Sequence, residues 1–332
     1  MTDHKAKILS ELDVLRRIAV TETAGVFKAR VYTSAIKTLS ALPHVRSMED
    51  LPASQKGDGL GKEVRIKIQK ILEHGGLEIS PEARGAATAL EAFQGIYGVG
   101  PKKAQDLLAA GHTTIEGLRA AFAKDKGILN KNQQIGLHYY EQLLQRIPRA
   151  EMDQHAALLM AAKPASLEGV IVGSYRRGRP DSGDIDMLIR TASVDSATAL
   201  DDFVTALRLK GYIREVLAHG DHKCMAICQL PGSIGRRLDL LVTPPAEFPF
   251  AVFYFTGSDT FNVAVRAHAL KRGFTLNEHA ITQISSGKQV QGVRSEQDLF
   301  KLLKLRWVEP VDRTGPEALA AAQQKPEAVA VA

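Results

Sequence analysis

The stretch Gly173–Arg190, GSYRRGRPDSGDIDMLIR, sets Arg176 and Arg177 and then Asp184 and Asp186 close together between apolar runs. Alternation in SGDIDMLIR points Asp184 and Asp186 to one face of a strand and sends Ile185 and Met187 into a core. Two neighbouring carboxylates repel unless a cation sits between them. A strand-borne D-x-D therefore suits magnesium, which takes oxygen ligands; the plainer reading is a pair of acids that cap a strand or face solvent. A third acid, Asp239 in RRLDLLV, stands among apolar residues on another β-like run. Three carboxylates can hold two magnesium ions about 3.5–4 Å apart, the arrangement that supports in-line phosphoryl transfer. Upstream, Gly173 and Ser174 supply a small residue and a hydroxyl, and Arg176 and Arg177 supply guanidinium groups matched to phosphate.

Around this stretch the chain changes texture. Up to about residue 150 the apolar residues recur at three- and four-residue spacings, as in ILSELDVLRRIA and VRIKIQKILEHG, which predicts helices. After Ala165, short β-rich runs (LEGVIVGSY, DIDMLIR, HKCMAICQL, RRLDLLVTP) flank one helix at ATALDDFVTALRLKG. The expected fold class is multidomain, α and α+β, with a helical first half. The tail GPEALAAAQQKPEAVAVA, rich in Ala, Pro and Gln, reads as disordered.

The 332 residues are enough for two or three domains, and the net charge of +6 leans towards a polyanionic partner. Cys224 and Cys228 have no second pair with which to form a four-ligand zinc site, so they read as core thiols in a reducing compartment. The charged N-terminus MTDHKAKILSELDVLRRI lacks the apolar run of a signal peptide or membrane span, so an intracellular, soluble protein is expected. Two segments echo each other: GDGLGKEVRIKIQKIL (57–72) and GIYGVGPKKAQDLL (95–108) both place G-x-G and a basic residue before an amphipathic helix. Gly59, Gly61, Gly98 and Gly100 let a phosphate backbone approach N–H groups at a helix N-terminus, although a tight link between packed helices would use the same residues. Two copies in a basic chain favour helix-hairpin-helix DNA binding, which grips phosphates without reading sequence.

With these residues in place, the chain resembles the X family of DNA polymerases. The likeness runs from about residue 5 to 312 and is carried by GSYRRGRPDSGDID, LNKNQQIGLHYYEQLLQRIPRAEM, RRLDLLV and YFTGSDTFNVAVRAHALKRGFTLNEH. It implies a helical lyase domain with the first helix-hairpin-helix (1–81) and a helical DNA-binding subdomain with the second (82–147). A palm-like nucleotidyltransferase subdomain (148–248), a nucleotide-selecting subdomain (249–314) and the tail (315–332) would follow. By the same resemblance Asp184 and Asp186 bind both magnesium ions, and Asp239 binds the catalytic one and helps to activate the primer 3′-hydroxyl, oriented by Arg237. Arg149, Ser174, Arg177, Ser182 and Gly183 would hold the dNTP triphosphate. Tyr254, Phe255 and Gly257 would contact the sugar, Asp259 and Asn262 the incoming base, and Arg266 the template strand.

Lys67 aligns with a Schiff-base lysine that removes 5′-deoxyribose phosphate, and Lys28 and Tyr32 match 5′-phosphate and active-site positions. A monovalent cation, Na+ or K+, would sit on backbone carbonyls near Leu60 and Val99. The sequence departs from the family's animal members at Phe27, Glu63 and Ile79, where their histidine and two lysines stand. It departs again at Leu241, where they carry an arginine that exchanges partners between the metal-binding acid and a glutamate matching Glu278. The implied activity is template-directed gap filling in base excision repair by a monomer acting on gapped or nicked double-stranded DNA and dNTPs, with repair-scaffold proteins as further partners. The location would be nuclear in a eukaryote and cytoplasmic otherwise. The rivals are a template-independent or end-joining relative, against which the short ICQLPGSIGRRLD turn argues, and a non-catalytic DNA-end scaffold.

Overall fold

Amphipathic spacing and good capping chemistry build the first part of the chain from helices alone. The computed structural model describes residues 2–21, 25–191 and 196–323. It places α1 at Lys5–Thr21, α2 at Val26–Ser40, α3 at Lys62–His74, α4 at Pro81–Gln94, α5 at Pro101–Ala109, α6 at Ile115–Lys124 and α7 at Lys131–His138. Ser80 caps α4 with Pro81 at its first turn, Thr114 caps α6, and Asn130 with Gln133 forms a reciprocal capping box on α7. Two apolar cores result. Ile8, Leu12, Leu39, Leu60, Ile68 and Ile71 close one, and Leu90, Phe93, Ile96, Leu107, Leu118 and Leu137 close the other. These helices lie within one compact unit, Met1–Tyr140, and the remainder, Glu141–Ala332, forms a second.

In the second unit five strands form one sheet: β1 (Leu167–Ile171), β2 (Ile185–Thr191), β3 (Ile213–His219), β4 (Lys223–Cys228) and β5 (Arg236–Val242), in the order β1-β2-β5-β4-β3. Among the described residues only β2 and β5 pair in parallel. Alternation assigns the two faces. Ile185, Met187, Ile189, Leu238 and Leu240 pack with Met152 and Leu159 of α8 (Arg149–Ala162) and with Leu200, Phe203 and Leu207 of α10 (Ser196–Leu209). The opposite face places Leu188 and Leu241 against Ala251, Val252 and Phe255 of α11 (Phe248–Thr256), and the short helix α9 (Gly173–Arg176) follows β1. Cys224 and Cys228 are buried in the α8/α10 core, where burial pushes their thiols up to about 11 and about 12.

Beyond α11, α12 (Asp259–Lys271), a hairpin of Phe274–Leu276 with Ile281–Gln283, and α13 (Glu296–Leu302) close a further core around Phe253, Phe261, Phe300 and Leu303. The disorder expected from residue 315 onwards does not hold for the first part of that segment. Pro316–Gln323 forms α14, whose Leu319 and Ala322 are buried in this core. Gln323 Nε2 and His268 Nδ1 lie 2.8 Å apart, and Arg306 N–H donates to the Ala322 carbonyl at 3.0 Å. Pro at the first turn and a small apolar face suffice for a two-turn helix once a core is there to receive it. Residues 324–332 lie outside the described residues.

Candidate active site

Register brings the acids together. Asp186 on β2 stands directly opposite Asp239 on β5, and Asp184 occupies the turn just ahead of β2. Both strand acids fall on the face that the apolar residues of the α8/α10 core leave free, because Ile185, Met187, Leu238 and Leu240 take the other one. Burial pushes the Asp186 carboxyl up to about 7, and the charges of Asp184 and Asp239 push in the same direction. Arg237 and Lys223 oppose that rise: Arg237 Nη2 lies 3.3 Å from Asp184 Oδ2 and 3.2 Å from Asp239 Oδ1, and Lys223 Nζ lies 3.1 Å from Asp239 Oδ2.

Three carboxylates on adjacent positions form a hard-oxygen donor set, and their mutual repulsion calls for a cation, so the residues fit a divalent ion such as magnesium. As they stand, the two basic side chains hold oxygens that such an ion would need. Among the described residues no three acidic, histidine or cysteine side chains converge as a preformed metal cage.

The turn upstream is shaped around the same acids. Gly173 has φ +63°, and a Cβ there would come within 2.6 Å of Asp186 Oδ2, so only glycine lets the chain pass the carboxylate this closely. Ser174 Oγ donates to Ser182 Oγ at 2.9 Å, next to the exposed Gly183. Arg177 Nη1 donates to the Thr256 carbonyl at 2.5 Å, and burial lowers the affinity of its guanidinium for a proton while Asp259 opposes this. Arg149 lies over the Tyr175 ring at 4.1 Å and donates to the Tyr175 carbonyl at 2.7 Å. One small region thus gathers a hydroxyl pair and two guanidinium groups beside three carboxylates. Tyr254 and Phe255 meet edge to face at 5.3 Å at the end of α11, and Gly257 follows at φ +66° with Arg177 Nη1 3.1 Å from where its Cβ would be. Asn262 Nδ2 donates to the Tyr254 carbonyl at 2.7 Å and leaves its buried Oδ1 without a partner, while Asp259 and Arg266 stand exposed on α12.

Three family models match consecutive parts of the chain: "Fingers domain of DNA polymerase lambda" over residues 91–144, "DNA polymerase beta palm" over 146–245 and "DNA polymerase beta thumb" over 251–314. Residues 91–314 belong to the X family of DNA polymerases. The chain is 31% identical over 333 residues to DNA polymerase lambda of Rattus norvegicus, a match that takes in 94% of the chain and 56% of the relative. It is 30% identical to DNA polymerase lambda of Arabidopsis thaliana, over 85% of the chain and 57% of the relative. It is 25% identical to the DNA polymerase type-X family protein pol4 of Schizosaccharomyces pombe, over 85% and 59%. The chain thus spans a little over half the length of these curated relatives. Within the family the sequence motifs resemble DNA polymerase beta, whereas two of these relatives carry the name lambda.

The three acids and the Ser174–Arg177 turn fall inside the palm match, and Tyr254 to Arg266 fall inside the thumb match. The fingers match includes Gly98 and Gly100, but Gly59, Gly61 and Lys67 precede all three models. In the helical unit a cavity of about 580 Å³ gathers Lys28, Tyr32, Glu63 and Lys67 with apolar neighbours, and Lys67 Nζ lies 4.0 Å from Glu63 Oε2. Gly61 and Gly100 are the N-cap residues of α3 and α5. Gly59, at φ +75°, would put a Cβ 2.3 Å from Ala35 N, so this loop lies directly on the backbone of α2. The Leu60 carbonyl accepts from Arg65 Nε at 2.9 Å. Val99 is buried and its N–H donates to the Ile96 carbonyl at 3.0 Å.

Several residues escaped the reading of the sequence. Lys223 is one: outward alternation counted back from Cys228 along HKCMAIC would have placed it on the acid face. Glu296 accepts from Arg176 Nη2 at 2.6 Å and from Arg313 Nη1 at 2.7 Å, and Arg313 is fully buried among Phe253, Phe261, Phe300 and Trp307, with ring centres 4.9–6.0 Å away. No short motif links residues this far apart.

Proposed function

We propose that the chain is a template-directed DNA polymerase that fills short gaps during base excision repair and also removes 5′-deoxyribose phosphate. The observation that carries the first half is the pairing of Asp186 with Asp239 across β2 and β5, with Asp184 beside them, inside a palm-family match. Magnesium held by Asp184, Asp186 and Asp239 would supply Lewis-acid stabilisation of the developing phosphoryl charge. The chain's own groups do the rest. Ser174, Ser182, Gly183, Arg177 and Arg149 bind the triphosphate through hydroxyl, backbone and guanidinium donors and orient its α-phosphorus to the primer. Arg237 fixes the Asp239 carboxylate, which receives the proton of the primer 3′-hydroxyl; the new bond joins that oxygen to the α-phosphorus, and pyrophosphate leaves. Tyr254, Phe255 and Gly257 wall the sugar, Asp259 and Asn262 face the incoming base, and Arg266 the template strand.

Support for the second half comes from the cavity that collects Lys67, Lys28 and Tyr32. The Lys67 amine attacks the sugar aldehyde and water leaves as the imine forms. Loss of the C2′ proton then breaks the C3′–O bond and frees the 5′-phosphate of the downstream strand. Glu63, facing Lys67, makes this pocket less basic than a lysine there would. A one-nucleotide gap bearing 5′-deoxyribose phosphate tests both halves: wild type adds one nucleotide and is trapped on the sugar by borohydride. Trapping of Lys67→Ala equal to that of wild type would reject the lysine assignment. Primer extension that proceeds equally without template would favour the template-independent or end-joining alternative.

A further inference from the structure

We propose that Lys223 is a positioning residue that holds the Asp239 carboxylate in competition with a divalent ion and so sets how readily the acid cluster takes up metal. The proposal rests on the reading of Asp184, Asp186 and Asp239 as a metal centre. Its basis is local geometry. Asp239 is nearly buried, with 8% of its side chain exposed, and its two oxygens are divided between two cations: Oδ1 faces Arg237 Nη2 at 3.2 Å and Oδ2 faces Lys223 Nζ at 3.1 Å. These cations differ. Arg237 also reaches Asp184 at 3.3 Å, so it bridges two acids and stays useful when they share an ion. Among the described acids Lys223 forms an ion pair with Asp239 alone, from a neighbouring strand, and 45% of its side chain is exposed.

Register explains how it gets there. Lys223 on β4 stands opposite Leu241 on β5, and Leu241 lies two residues beyond Asp239 on the same face, so the lysine reaches the acid diagonally. With an uncharged Leu241 in that register position, the charge that meets Oδ2 comes from β4. The ammonium also has somewhere to go. Lys223 lines a cavity of about 400 Å³ with Leu241, Phe255, Glu278 and His279, so it can leave Asp239 for open space or another carboxylate without unfolding the strand. A compact ammonium on a flexible stem competes for one oxygen and yields it, which a planar bidentate guanidinium does less readily.

The test is manganese binding to the full chain without DNA or nucleotide, read from the electron paramagnetic resonance signal of free Mn2+, for wild type, Lys223→Met, Lys223→Arg and Asp239→Asn. Urea midpoints confirm that each variant folds. The expected result is that Lys223→Met binds Mn2+ roughly two- to tenfold more tightly than wild type, Lys223→Arg does not, and Asp239→Asn loses the site. An unchanged affinity in Lys223→Met, with the site still lost in Asp239→Asn, overturns the proposal and leaves the metal-centre reading standing. Binding that is indifferent to Asp239→Asn overturns both.

Discussion

In the palm, Asp186 and Asp239 face each other because two strands are hydrogen-bonded in one register, whereas in the helical unit Lys28 and Tyr32, and Glu63 and Lys67, share a cavity because each pair recurs after one helical turn. The consequences for charge differ. A strand pair fixes its side chains rigidly, so burial and the charges of Asp184 and Asp239 make the ionised form of Asp186 costly, an effect that Arg237 and Lys223 oppose. A helix face lets long side chains fan towards solvent, and Glu63 is 83% exposed beside Lys67.

Glu296→Gln leaves the buried Arg313 guanidinium without its carboxylate and should cost the second unit about 3–5 kcal/mol in urea denaturation, because Glu296 joins Arg176 to Arg313 there. Gly136→Ala is the corresponding break in the helical unit. A Cβ at residue 136 would lie 2.3 Å from the Tyr97 carbonyl oxygen, and forcing α7 off that backbone should cost about 1–3 kcal/mol. Loss of a single unfolding transition in each case, with the other unit unaffected, is the expected pattern.

Asp186→Asn should instead stabilise. In the folded chain the Asp186 carboxyl is pushed up from 3.8 to about 7, so the folded state binds its proton more tightly than the unfolded one, and stability falls as pH rises from about 4 to about 7. The asparagine variant removes that loss and should gain roughly 1–3 kcal/mol at pH 7.5 in chelator, with no gain at pH 4. A variant equal to wild type at both pH values would show that the acids are not in conflict.

Much of this was legible because sheet and helix periods are short. The D-x-D alternation located two acids and their buried neighbours, and RRLDLLV located the third. The two G-x-G echoes marked the N-caps of α3 and α5. The rest depended on partners that no local window contains. Lys223 reaches Asp239 only through the β4–β5 register, Glu296 meets Arg176 across 120 residues, and Gly136 is needed only because α7 lies on Tyr97. The C-terminal segment misled for the same reason: its small apolar residues look weak until the core around Phe261 and Phe300 receives Leu319.

If Asp184, Asp186 and Asp239 perform nucleotidyl transfer, removing one of them abolishes synthesis and spares DNA binding. Single-turnover extension across a one-nucleotide gap, with wild type and Asp239→Ala compared at matched DNA occupancy, tests it most directly. Wild type should add the one templated nucleotide, and Asp239→Ala should lose at least about 1000-fold in rate with its affinity for gapped DNA unchanged. Extension by Asp239→Ala at a rate near that of wild type would exclude the acid cluster from the reaction.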